Sequence, residues 1–154
     1  MTKANDSGQT MVEVAISLSI FLLLVMGTVD FGHLYSTKVT LQNAVRQAGR
    51  YAITGQCITG SNGSCSITRY NSIVQILEGT SLGMVNTSEI SITCTDMGGG
   101  CPNLAGGPND IITIKVTYPY QFMTGRIGAY FPGNSYTITV SSAFTNEPFP
   151  PGQS

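Results

Sequence analysis

Sixteen consecutive residues, Val14 to Val29, carry no charge, and the apolar character extends from Met11 to Phe31 with Glu13 near one end and Asp30 near the other. A transmembrane helix needs about 20 predominantly apolar residues, so Met11–Phe31 has the required length. Phe21-Leu22-Leu23-Leu24-Val25 leaves no polar face there, which a helix on the surface of a soluble domain would need. A buried core helix and a cleaved secretory signal are the competing readings. The second calls for a basic start and a small-residue cleavage site after an apolar stretch of about 7–15 residues. Asp30-Phe31-Gly32-His33-Leu34-Tyr35 offers no such site, and the pattern simply continues as helix.

Beyond the run, Leu34, Leu41, Val45, Ala48 and Ala52 recur at helical spacing, with Lys38 the one charged member of the row, and Gln42, Asn43, Arg46, Gln47 and Arg50 lie between them. This is an amphipathic continuation. No proline occurs before Gly55, a residue suited to follow a helix end, so the spacing predicts one helix from about Gln9 to Thr54. Such a rod would be roughly 70 Å long. Composition agrees with a chain that does not live as an ordinary water-facing globule. Only 10% of its 154 residues are charged, the net charge is −1, and mean hydropathy is +0.15. Seven Lys and Arg form no basic stripe, which argues against a nucleic-acid partner.

The start of the helix carries the chemistry. Gly8-Gln9-Thr10-Met11-Val12-Glu13 places a carboxylate at the edge of the apolar run. An acid costs about 2.5–3.5 kcal/mol at the centre of a membrane helix and less near its end, so it marks a functional candidate. A cut after Gly8 would give Gln9 a free α-amino group, a cation able to pair with Glu13 of a neighbouring, staggered helix. Gly8 followed by Glu13 and an apolar helix resembles the prepilin class of signal, cut before the apolar run so that the helix is retained. The longer stretch from Gly8 to Ala15, Asp30-Phe31-Gly32, and Leu41-Gln42-Asn43-Ala44-Val45-Arg46-Gln47-Ala48-Gly49-Arg50-Tyr51-Ala52 resembles the TadE-like family of the tight-adherence (Tad/Flp) pilus machinery. The likeness covers Gly8 to Ala52 and reappears near Tyr118-Pro119-Tyr120. It implies a pseudopilin: a leader over residues 1–8, a membrane or bundle helix over 9–31, an amphipathic helix over 32–55, an extracytoplasmic α+β domain over 56–146, and a tail over 147–154. It further implies cleavage between Gly8 and Gln9 by a prepilin peptidase, N-methylation of Gln9, and Glu13 as the residue setting register. Other pilin or pseudopilin subunits, met through the N-terminal helix, and the membrane would be its partners.

Charge alone does not orient the span, since Lys3 is the only leader cation and Lys38, Arg46 and Arg50 follow the run. The cysteines favour an outer C-terminal side. Cys57, Cys65, Cys94 and Cys101 make an even count, with three possible connectivities, of which Cys57–Cys65 and Cys94–Cys101 close short Gly-rich loops. A four-thiolate zinc site is the rival, without the paired C-x2-C spacing it would need. Disulfides would place that part of the chain in an oxidising compartment, with the C-terminal side outside and the N-terminus cytoplasmic; the resemblance implies that the membrane is an inner membrane.

Tyr70, Ile73, Val74 and Leu77 predict a short helix over 67–78, capped by Ser66 or Thr68 and ended by Gly79. Three alternating runs predict strands with one buried face: Ile90, Ile92, Cys94; Ile112, Ile114, Val116, Tyr118; and Tyr136, Ile138, Val140. The fold class is therefore α+β, a long helix whose second half packs on a small antiparallel sheet, as in pilins. The segments 103–110 and 119–134 read as surface loops, and the chain from Asn146 as an irregular tail. Asp96 and Asp110, flanking the glycines, read as solvated acids rather than a calcium site. His33, with Asp30 and Tyr35 nearby, reads as a residue of the bilayer edge; no catalytic constellation and no cofactor motif is present. A second function stays open, a membrane-anchored binding module using the Thr-rich sheet and the loop aromatics Tyr118, Tyr120, Phe122, Tyr130 and Phe131. From Cys57 to Ser154 the chain has eight charged residues and 23 Ser or Thr, so its polarity comes from hydroxyls that cost less to bury than charges.

Overall fold

A computed structural model of the chain describes residues 6–59, 67–97, 101 and 104–148. The element order is α1 (Asp6–Ile53), α2 (Arg69–Thr80), β1 (Ile90–Thr95), β2 (Ile111–Gln121), α3 (Gly125–Gly128) and β3 (Ser135–Thr145), with single 3-10 turns at Thr87–Glu89 and Pro132–Asn134. The long helix is thus a single 48-residue element. The class is α+β with a three-stranded antiparallel sheet in the order β1-β2-β3. Two compact units divide the chain: Met1–Ser36 with Gln121–Tyr136, and Thr37–Tyr120 with Thr137–Ser154.

In the first unit, α1 is bare. From Met11 to Phe31 every residue is exposed except Gly27 and Asp30. None of the apolar window is buried inside the fold, so it is not the core helix of a soluble domain; by length and composition it is a candidate membrane span.

In the second unit, the amphipathic stripe does what its spacing predicts. Leu41, Ala44, Val45, Ala48 and Ala52 are buried, as are Ile73, Val74 and Leu77 of α2. The sheet supplies Ile90, Ile92, Ile112, Ile114, Val116, Ile138 and Val140 from its inner face. The register pairs Ile90 with Val116, Ile92 with Ile114 and Cys94 with Ile112, so the alternation is shared by partners on one face. Phe144 of β3 lies directly over Gly49 of α1 and leaves no room for a Cβ there. Tyr136, predicted on the buried face, is 45% exposed.

Three local boundaries differ from the sequence expectation. Thr68 does cap α2, accepting from the Asn71 N–H, but the helix runs through Gly79. It closes instead with Leu82 (φ 58°) and Gly83 (φ 71°), whose N–H groups donate to the Gly79 and Glu78 carbonyls. That is a Schellman ending, with the left-handed residue placed after Ser81. Strand β2 continues through Pro119 to Gln121, which shortens the predicted 119–134 connection and leaves Tyr120 buried. Asn146 begins no free tail: it is 2% exposed, its Nδ2 donates to the Ala105 and Gly107 carbonyls, and its N–H donates to the Asp110 carbonyl. The Glu147 N–H donates to the carbonyl of Ile53.

Arg69 ties this unit together. It is 1% exposed; Nη1 donates to the Gly106 carbonyl and Nη2 to the Ala52 carbonyl, each at 2.6 Å. Ala52 lies in the last turn of α1, where carbonyls lack helical partners and a positive charge is favoured. Burial pushes the guanidinium below its usual range. Gly106 has φ +74°, and a Cβ there would meet Asn146, Cys94 and Asp110, so the loop meets the guanidinium only through glycine.

Two outcomes follow. Arg69→Met keeps the apolar stem but leaves two buried carbonyls without their charged donor; stability falls by about 2–4 kcal/mol, read as a lower urea midpoint at unchanged slope. Burial raises the Tyr51 phenol above 10.0, opposed by a hydrogen bond with Ser72. The unfolded chain then ionises first, so stability is present below about pH 10 and is lost as pH rises through the folded pKa. Tyr51→Phe removes that part of the alkaline loss, measured by denaturant titrations across pH.

Candidate functional site

Gly8, Gln9 and Glu13 all lie on α1 and are exposed. The sequence places them on one helix, and the structure keeps them there without bringing any other described element against them. A Cβ on Gly8 would meet nothing within 4 Å. Glycine at this position is therefore not required by the packing of the described residues. Glu13 borders an open apolar groove with Val14, Ser17, Leu18 and Phe21. Among the described residues no hydrogen bond or ion pair engages its carboxylate. Within a membrane such an acid would be costly, and a cation from another chain would relieve it.

Asp30 sits at the other end of the apolar stretch, where the sequence marks it as the end of the run, as the first residue of Asp30-Phe31-Gly32 and as a neighbour of His33. It is fully buried. Oδ1 accepts from the Met123 N–H at 3.2 Å and Oδ2 from the Thr124 N–H at 3.3 Å, and the Thr124 hydroxyl donates to the same Oδ2. These partners are 93 and 94 residues away in sequence, so no local pattern announces them. The apolar run itself holds the one available signal, an acid where an anchor residue would suffice. With both oxygens engaged by the 123–124 segment, Asp30 orients a loop. His33 and Tyr35 are both exposed.

Cys94 and Cys101 form a disulfide with Cα atoms 6.1 Å apart. Cys57 is also disulfide-bonded. Its expected partner Cys65 lies outside the described residues, as do the leader residues 1–5 and the glycines 98–100. Cys94, Cys101 and Asp110 cluster closely enough to suggest metal ligands. However, the two sulfurs are bonded to each other and offer no thiolate. Asp110, expected as a solvated loop acid, is fully buried: Oδ2 accepts from the Gly107 N–H at 2.7 Å and Oδ1 from the Met97 N–H at 3.2 Å. It is a loop clamp beside the disulfide, while Asp96 is exposed.

Two further features lie outside the helix motif. A cleft of about 350 Å³ in the second unit is lined by Lys38, Gln42 and Arg46 of α1 and Thr139, Ser141 and Ser142 of β3. In the first unit, Phe122 is buried and stacks on Phe131 at 4.8 Å, and Phe131 meets Tyr136 edge-on at 6.1 Å. Of the loop aromatics that could meet a ligand, Tyr120 and Phe122 are therefore core residues, whereas Tyr130 is 89% exposed.

A family model described as TadE-like protein matches residues 8–50, a span contained within α1. No curated protein and no solved structure matches the chain. The match falls on the helix that carries Gly8, Gln9, Glu13 and Asp30.

Because a Cβ on Gly8 would meet no other described residue within 4 Å, replacing it by Ala leaves the fold intact. The unfolding free energy of Gly8→Ala in detergent should equal that of the parent chain or exceed it by up to about 1 kcal/mol, the helix-propensity difference between Ala and Gly.

Proposed function

We propose that this TadE-like chain is a non-enzymatic, pilin-like subunit, a pseudopilin, that acts in assembly of a Tad/Flp-type pilus serving adhesion. In this reading a prepilin peptidase cuts between Gly8 and Gln9 on the cytoplasmic side of the inner membrane. The retained helix anchors the chain, and the disulfide-bearing C-terminal part is extracytoplasmic. The observation that carries the reading is the bare α1 bearing an exposed Glu13 five residues after Gly8, within the TadE-like match.

The physics of assembly follows from that surface. In lipid, helix association is driven by packing and polar contacts, since the tails are as apolar as the side chains. The exposed face from Met11 to Phe31 gives the packing area. Glu13 gives the register, because the free amine of a neighbour's Gln9 stabilises the carboxylate only at one stagger. A buried charge pair of this kind is better suited to setting specificity than to adding stability. Open space around Gly8 supports processing too: the residue is accessible, and its smallness answers to an external active site rather than to the fold.

A second reading is a membrane-anchored binding module that never enters a filament. The cleft between Lys38, Arg46 and the β3 hydroxyls favours it, since two cations and several hydroxyl groups suit an anionic ligand. That reading requires no cut at Gly8.

Intact-mass measurement of the protein recovered from membranes separates the two. The pseudopilin reading expects a chain beginning at Gln9, abolished by a bulky residue at Gly8; a species beginning at Met1, or one beginning after Gly32, overturns it. Glu13→Ala should be inserted and cut normally yet be missing from sheared filaments, and its normal incorporation would remove Glu13 from the register role.

A further inference from the structure

The segment Gln121–Tyr136 belongs to the same compact unit as the apolar half of α1. Its side chains reach far along that helix. Thr124, Gly125 and Tyr130 share a largely apolar cavity of about 860 Å³ with Ser19, Leu22 and Met26 of α1. Ser19 is eleven residues before Asp30, or about 16 Å along a helix axis. If Asp30 marks one edge of a hydrocarbon core about 30 Å thick, the loop overlies roughly half of it.

The loop is built for such a place. Backbone groups that leave water must find partners within the protein. Here Asp30 takes the N–H groups of Met123 and Thr124. Those of Gly128, Ala129, Phe131 and Asn134 donate to the carbonyls of Thr124, Gly125, Gly128 and Phe131. The segment contains one charged residue, Arg126, and no acid. Met123 is 70% exposed and Tyr130 89%, and both continue the bare apolar surface of the span.

We propose that Gln121–Tyr136 is a second membrane-seated element. It enters the leaflet at the Asp30 end of the span, is latched to α1 by Asp30, and has lipid acyl chains filling the cavity between loop and helix. Membrane contact then comes from two segments that are distant in sequence, one ending at Ser36 and the other beginning at Gln121. The inference rests on the span reading of α1 and is independent of peptidase processing.

The chain has no Trp, so one introduced Trp reports alone. Tyr130→Trp and, as a reference inside the span, Leu18→Trp are placed separately in the full chain. Each is reconstituted into phosphatidylcholine–phosphatidylglycerol vesicles with and without acyl-chain-brominated lipid. The expected result is that Tyr130→Trp is quenched by a similar fold to Leu18→Trp. Adding Asp30→Ala should abolish the quenching at position 130 and leave that at position 18 unchanged. Unquenched, water-like emission from Tyr130→Trp overturns the proposal. Unquenched but blue-shifted emission also overturns it, and assigns the patch to another protein surface. Loss of quenching at position 18 as well overturns the span reading with it. Circular dichroism of each variant shows that the helix is retained.

Discussion

An α-helix satisfies its interior N–H and C=O groups within itself, so it can leave water without orphaning its backbone. The one long helix of this chain has, over its first half, the length and apolar composition of a candidate membrane span, and over its second it packs in the ordinary manner. From Met11 to Phe31 the side chains are predominantly apolar and bare. From Leu41 to Ala52 the apolar positions narrow to a stripe and are buried beneath the residues of α2 and the sheet. The change from an all-round apolar surface to a one-sided stripe separates the candidate membrane span from the part of the helix that packs on protein, and it is written into the spacing of residues.

Buried polar side chains in both units are used alike. Asp30, Arg69, Asp110 and Asn146 all contact main-chain atoms of irregular segments. A charge held by several main-chain dipoles fixes a loop's conformation in a way that a flexible ion pair does not, at the cost of desolvating the charged group. Arg69 joins the end of α1 to the 104–110 loop, Asp110 draws Met97 and Gly107 together beside the disulfide, and Asn146 donates to the Ala105 and Gly107 carbonyls of the same loop. Gly106 is the residue that lets these groups meet, since any side chain there would fill the space they share.

The regular elements are legible in the sequence because periodicity is local. The apolar run, the Leu41–Ala52 stripe and the alternation at Ile90, Ile112 and Ile138 each report burial within a few residues of where it is enforced. Thr68 is readable as a cap for the same reason, and the short Cys94–Cys101 spacing as a disulfide. The ending of α2 is not, because Gly79 looks like a stop while the hydrogen bonds that close the helix come from Leu82 and Gly83. Asp30, Asp110, Arg69 and Asn146 are illegible in a different sense. Their partners lie between 3 and 94 residues away, and a charged or polar letter says nothing of whether its surroundings are water or protein. At the N-terminal motif the sequence shows as much as the fold does, since Gly8, Gln9 and Glu13 simply lie exposed along one helix.

The hydroxyl-rich second half of the chain also bears on the medium it works in. Salt acts on contacts between proteins chiefly by screening their charges, over about 10 Å at 0.1 M. The 98 residues from Cys57 to Ser154 offer eight charges to screen, and two of them, Arg69 and Asp110, are buried. Contacts made by such a surface through Ser and Thr hydroxyls keep nearly the same strength in dilute and in saline surroundings.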